Sequence, residues 1–513
     1  MRTRPRLAPF LSPFVLALTV PPALSAPSPA DEGAPATASP RLEWIARHMG
    51  RVPLSGGVLP GTGLAPAPAD ESEALAATAR RARQRRRLSS DLLAGSGHPQ
   101  PGTQAEPHLH VDPGDPEHLV AAWQENRFPD GGAQAIGVAA SFDGGATWTE
   151  GLLPGLTLAS EGRWERASDP WVAFGPDGEV WCSSLLFNAS DPSNAVGVSR
   201  SVDGGLAWAP PIEVGFAPLD FNDKESITVD TNPESPFYGR AYAAWDINLT
   251  GPSGQGFVAQ KLVVARSRAD GRGFKRPKRV RRSDVNVGVV PRVGPDGTVY
   301  LVWAGRTGSQ GQGSPIDLVF SRSHNGGRRW SPPRRIETLG ARGVPAIRGG
   351  SGLPSFDLDP TSGRLYVAWE DARFHGVDQA VLMTSQDGGE TWGPVRRVSA
   401  SPPDAPNFTV SVAVNARGDV AVSYMSLEND PARRFLVDHF VRISTDGGDT
   451  FGPPIRANRR SFDIRHAAQA GGYFLGDYMG LAGSDTAFHA LWVDTTRRAR
   501  GLLQPDVFTA RAR

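Results

Sequence analysis

The residues best suited to chemistry in this 513-residue chain cluster just after a recurring aromatic position. The stretches "WQENR", "WAGR" and "WEDAR" place Arg127, Arg306 and Arg373 three or four residues beyond a tryptophan, next to Glu125, Glu370 and Asp371. Three further stretches add charge: "RASDPW" carries Asp169, "NDKES" carries Lys224 and Glu225, and "FLGDYMG" carries Asp477 and Tyr478. Guanidinium groups hold carboxylates through paired N–H···O bonds, and carboxyl groups of suitable pKa transfer protons. The set therefore suits recognition of an acidic ligand, acid–base chemistry, or both. His108 and His110 stand two apart, on one face of a strand, and form a candidate metal pair or an ordinary hydrogen-bonding pair.

Short strands must carry these residues. "HLVAAW", "RAYAAW", "TVYLVW", "RLYVAW" and "AFHALW" end in Trp123, Trp245, Trp303, Trp369 and Trp492; "DVAVSY" puts Tyr424 at the equivalent place, and "EVWCSSL" puts Ser184 there. Each is an alternating run entered through a Gly/Asp turn, the pattern of a strand reached by a hairpin. About twenty residues after each of the first six comes a second motif: "SFDGGATW", "SVDGGLAW", "SRADGRGF", "SHNGGRRW", "SQDGGETW" and "STDGGDTF". Its key residues are Asp143, Asp203, Asp270, Asn325, Asp387 and Asp446. A calcium loop needs several oxygen ligands, whereas each copy supplies about one carboxylate and one copy uses Asn. The motif reads as a hairpin turn: Asp accepts backbone N–H bonds, the Gly pair permits positive φ, and the closing aromatic packs beneath.

Composition limits the rest. Fifty-four basic and 53 acidic residues give a net charge of +1, so no global field recruits nucleic acid. The single cysteine, Cys182, excludes an internal disulfide. Residues 1–26 combine a basic start with a short apolar run and small residues, the pattern of an export signal, and no stretch is long enough to cross a membrane. A secreted or periplasmic protein is expected. Residues 27–103 read as a low-complexity linker, and the six arginines within 80–87 as the end of a solvated helix.

The S-x-D-G-G-x-T-W copies resemble the Asp boxes, or BNR repeats, of the sialidase superfamily. The resemblance covers residues 104–513 and implies an all-β fold: a β-propeller of four-stranded blades, with the boxes joining third and fourth strands on the face away from the active site. Seven first strands are countable, against six blades in sialidases, so seven blades are expected with six as the alternative. The last repeat shows three strands and no box, and a segment between about 85 and 105 is expected to complete it. The resemblance also implies roles on the top rim: Arg127, Arg306 and Arg373, with Lys224, for a sugar carboxylate; Tyr478 as nucleophile with Glu225 or Glu370 as its partner; and Asp169 as acid/base. The family's F/Y-R-I-P opening has no counterpart, since the first strand reads "EPHLHVDP". The expected function is therefore glycan or protein binding on the top face, with exo-sialidase-like hydrolysis, or hydrolysis of another glycan by paired carboxylates, as the enzymatic alternative. A monomer needing neither cofactor nor metal is expected, with a glycan or glycoprotein as partner.

Overall fold

The computed structural model describes residues 80–93, 97–251, 257–268, 271, 273–307, 315–499 and 502–513. The expected export signal, the linker up to residue 79 and Asp270 lie outside the described residues.

The fold is all-β. Four-stranded antiparallel meanders follow one another along the chain, beginning with Gln104–Asp112, Asp115–Arg127, Ala133–Ser141 and Thr149–Leu152. The pattern recurs from the first strands Arg166–Phe174, Phe221–Val229, Asn286–Val293, Ser355–Leu358, Asn407–Val414 and Gly480–Gly483. Each of these first strands packs beside the next, and Gly480–Gly483 lies beside Gln104–Asp112. Together they surround a central cavity.

The second strands supply much of the core. Val299–Gly305 and Leu365–Asp371 are buried along their whole length, which explains their nearly continuous apolar character. Trp123, Trp245, Trp303, Trp369, Tyr424 and Trp492 are all fully buried, as is Ser184 at the equivalent place. A buried indole needs an acceptor. Trp123 finds one in Glu125 (2.8 Å) and Trp369 in Asp371 (2.9 Å), while Trp245 and Trp303 use Asn222 and Asn286 at 2.8 and 3.1 Å. Glu125 and Asp371 thus anchor the repeat.

The "DGG" motifs form turns between third and fourth strands. Around Asp143, the Ser141 hydroxyl and the Thr147 N–H donate to its Oδ1 at 2.9 and 2.7 Å, and the Thr147 hydroxyl donates to Oδ2 at 2.6 Å. Gly144 and Gly145 have φ of 67° and 84°, and the Trp148 indole donates to Gly145 O. The hydroxyl–Oδ1 bond and a backbone N–H bond four residues on recur at Asp203, Asn325, Asp387 and Asp446.

The arginine run departs from the expected helix. Arg83–Arg87 is a strand, antiparallel to Leu502–Ala512, and it supplies the fourth strand of the last meander. It starts two residues before the 85–105 window. Just upstream, Arg80–Arg81 pairs in parallel with Ile455–Arg456 of the preceding sheet. Bonding to two sheet edges outweighs helix propensity here, and it covers edges that are otherwise open.

Candidate active site

The central cavity has two chambers. The upper one, about 60 Å³, is lined by Asp169, Lys224, Glu225, Glu370, Asp477 and Tyr478 among others. The lower one, about 300 Å³, reaches the turns between first and second strands, including Asp112, Pro360 and Asn415. The box turns stand at this lower end, as Gly144 N–H donating to Glu117 O (2.8 Å) shows.

A repeated backbone device builds the upper site. The register of the first strands slips near their upper ends in five of the meanders, between Ala105/His108, Ser168/Trp171, Asp223/Ser226, Val287/Val290 and Phe408/Ser411. The bulge residues are Glu106, Asp169, Lys224, Gly288 and Thr409, with φ of 51°, 52°, 48°, 67° and 47°. Glycine adopts this conformation freely, whereas a side-chain-bearing residue is strained there and is held by its surroundings. Three of these bulges deliver charge to one point. Lys224 Nζ lies 2.7 Å from Asp477 Oδ2, 3.2 Å from Asp169 Oδ2 and 3.4 Å from Glu106 Oε1.

The cluster is buried, with Lys224 5 % exposed and Glu106, Asp169, Glu225 and Asp477 at 3 % or less. Burial opposes the Lys224 charge, but Asp169, Asp477 and Glu106 outweigh it and raise its pKa well above the usual lysine value. Burial and Asp169 push Glu106 up to about 8. Burial works against the Asp477 carboxylate, yet Lys224 and Arg348 hold its pKa below the ordinary value. Glu225 differs from these: no other residue bonds either carboxyl oxygen among the described residues, and burial with Asp169 raises its pKa well above the usual range. It faces the chamber, and its surroundings favour the protonated form. Asp246, which no other side chain bonds, is raised by burial and Asp223 against a backbone contact from Gly288.

Arg127 is the one expected arginine that reaches this cluster. It is 2 % exposed and donates to Gln124 Oε1 (2.9 Å); Gln124 in turn contacts Glu106 and Ser168, whose hydroxyl donates to Asp169 Oδ1 at 2.5 Å. Arg348 joins it from another sheet, 3.6 Å from Asp477. Both guanidiniums lie over the ring of Phe474, at 4.3 and 4.6 Å from its centroid. Phe474 is fully buried, and its segment is tied down by Glu106 N–H to Leu475 O (3.1 Å) and by parallel pairing with Ile347–Arg348. Arg306 and Arg373 do not converge with Arg127. Arg306 is ion-paired with Asp284; Arg373 forks onto Asp371 with two bonds of 2.9 Å and meets Glu337 at 3.4 Å. A nearby carboxylate captures each, Asp284 for Arg306 and Asp371 for Arg373.

Glu370 lines the chamber but is engaged: its oxygens accept the Val410 and Gly352 N–H groups at 3.1 and 3.3 Å, and burial pushes its pKa to about 8. Tyr478 donates to Pro170 O at 3.0 Å, and burial with Glu106 and Asp169 raises its pKa well above 10, the reverse of an activated nucleophile. Glu106 and Phe474 were absent from the expected set; Arg348, in "IRGGSG", was expected on the top rim but without a role. An acid–proline pair shared by "EPHLH" and "DPWVA" marks Glu106 as the counterpart of Asp169; nothing local marks Phe474.

No family model matches the chain, and no curated protein does. Solved structures similar to it include a protein of unknown function from Dyadobacter fermentans, at 15% identity over 68% of this chain and 95% of that one, with a TM-score of 0.45. The Hadza microbial sialidase Hz136 is 14% identical over 78% and 74%, with a TM-score of 0.44. The Penicillium chrysogenum alpha-L-arabinanase is 14% identical over 66% and 93%, also at 0.44. At these scores the similarity assigns neither family nor activity. Among the described residues, no helix is long and apolar enough to cross a membrane.

Proposed function

We propose that the chain is an exported, monomeric, seven-bladed β-propeller of the Asp-box type that acts on glycans, and that its upper chamber hydrolyses a glycosidic bond with carboxyl groups. The succession of first strands, with Gly480–Gly483 beside Gln104–Asp112, supports seven blades. The repeated Ser–Asp turns support the box assignment.

The observation that carries the functional reading is Glu225: a buried carboxyl group that no other side chain engages, facing a chamber whose other acids are tied to Lys224 (Asp169, Asp477) or to backbone N–H groups (Glu370). Burying such a mixed cluster costs stability, and carboxyl groups with divergent environments mark acid–base sites. Glu225 donates the proton to the departing oxygen as the glycosidic bond breaks; Asp169 or Asp477 steadies the oxocarbenium-like transition state and takes the proton of the water that adds to the anomeric carbon. A tyrosine-nucleophile mechanism fits less well, because Tyr478 is bonded to Pro170 O and its pKa is raised. Arg127 and Arg348 are stacked on Phe474, so the reading favours a neutral sugar in the chamber over a sialic acid.

A second reading has one observation behind it. The buried Phe474 segment lies over both arginines and the upper chamber is small, as suits a propeller that binds glycan on its top face without hydrolysing it. Assay of the purified protein on fluorogenic neutral pyranosides, neutral furanosides and a sialoside separates these. Turnover of a neutral glycoside supports the carboxyl-group site; turnover of the sialoside alone overturns it; no turnover, with saturable glycan binding, establishes the second reading.

A further inference from the structure

The lower chamber is the roomier one, and the hydrolytic reading leaves it without a role. His108 and Arg292 line both chambers and so stand at the waist between them, while His110 and Asp357 line the lower one. The i, i+2 histidines suggest a metal pair by spacing, but their Nδ1 atoms are used to tie neighbouring first strands together. Val172 N–H donates to His108 Nδ1 at 3.2 Å, and Phe174 N–H to His110 Nδ1 at 3.4 Å. A neutral imidazole whose Nδ1 accepts carries its proton on Nε2. Burial and Arg292 lower both histidine pKa values, that of His110 to about 4, so both rings are neutral at pH 7. Each ring therefore carries its N–H on Nε2 and has no free lone pair, and the His110 ring also meets the Val111 backbone.

Arg292 is oriented by its own partners. Its Nε donates to Asp357 Oδ1 at 2.9 Å and its Nη1 to Pro291 O at 3.0 Å, which leaves Nη2 without a protein partner among the described residues. Two of the three acids lining the lower chamber are already engaged, the third being the exposed Asp485. Asp357 Oδ2 accepts the Val414 N–H, and Asp112 takes the Gly114 N–H and faces His118 at 3.4 Å. The waist thus supplies a directed guanidinium edge and the His108 imidazole, with the His110 imidazole just below, to a chamber of about 300 Å³.

We propose that the waist of the central cavity binds a small oxyanion, a carboxylate or phosphate group, with Arg292 Nη2 supplying the charge and the His108 and His110 N–H groups flanking it. This site lies below the Lys224 cluster and stands or falls independently of glycoside hydrolysis.

The test is calorimetric titration of the full-length protein at pH 7 and low ionic strength with inorganic phosphate and, separately, acetate. One saturable site is expected for at least one of them, weakened tenfold or more in Arg292→Met/Asp357→Asn, which keeps the charge balance, and several-fold in His110→Phe. Saturation by phosphate alone identifies a phosphate-type ligand, and by acetate a carboxylate. Where the double variant fails to fold, His110→Phe alone decides. Absence of saturable binding of either anion, affinity unchanged in His110→Phe, or zinc binding that is lost in that variant overturns the proposal.

Discussion

Lys224 is the one group whose removal exposes how the upper site is held together. Its ammonium lies 2.7 Å from Asp477 and 3.2 Å from Asp169, both at most 3 % exposed. Glu106, the third partner at 3.4 Å, has its pKa at about 8 and contributes little negative charge at pH 7. Lys224→Met therefore strands two carboxylates, with Arg348 at 3.6 Å from Asp477 as partial compensation. Removing one partner of a buried ion pair costs about 3–5 kcal/mol, and the upper part of that range is expected. The loss is electrostatic, so Lys224→Met/Asp477→Asn recovers about 1–2 kcal/mol by removing the nearer stranded charge. Acid has the same effect: a stranded carboxylate has a raised folded pKa, so the penalty shrinks as pH falls, by up to about 1.4 kcal/mol per pH unit per proton taken up. Urea unfolding followed by tryptophan fluorescence at pH 5.5 and 8 measures all three quantities. A loss under about 1 kcal/mol at pH 8, or an equal loss at both pH values with no recovery in the double variant, refutes the reasoning.

Two predictions concern stability elsewhere. Glu370, pushed by burial to about 8 from an ordinary value of 4.5, keeps its proton in the folded chain after the unfolded chain has lost it. Stability therefore falls as pH rises from about 4.5 to 8, by about 5 kcal/mol from this group at the limit. Glu370→Gln should flatten that slope in unfolding experiments at pH 5, 6.5 and 8, and an unchanged slope contradicts the assignment. Asp387→Ala removes the bonds from Ser385 Oγ (2.8 Å), Thr391 N–H (2.9 Å) and Thr391 Oγ1 (2.5 Å). It should lower stability by about 1–2 kcal/mol and leave kcat/KM unchanged; intact stability with lost turnover means that the box turns, not the upper chamber, carry the site.

The repeat was legible because its physics is local. Alternating apolar strands, Gly-Gly turns and an Asp that bonds its own loop recur at fixed spacing, and the structure has these turns at Asp143, Asp203, Asn325, Asp387 and Asp446. Asp169, Lys224, Glu225 and Tyr478 were also legible, since they sit where first strands begin and meet around the upper chamber. Arg306 and Arg373 misled because sequence placed them at the correct end of their strands but could not show that Asp284 and Asp371 hold them outside the centre. Glu106 depends on a bulge, which shifts the side-chain alternation and hides the residue from a period-two reading. The arginine run was misread because its partner, Leu502–Ala512, lies more than four hundred residues away.

The central claim is that Glu225, not Tyr478, carries the chemistry. The direct measurement is kcat/KM of wild type, Glu225→Gln and Tyr478→Phe on the best neutral aryl glycoside, with folding checked by circular dichroism. Loss of a proton donor costs about 10²–10⁴-fold, so Glu225→Gln should fall by that factor while Tyr478→Phe stays within about tenfold. The raised pKa of Glu225 also predicts that activity declines with rising pH only above the ordinary carboxyl range, as that proton is lost. A Tyr478→Phe variant that is inactive beside a Glu225→Gln variant that retains turnover contradicts the account.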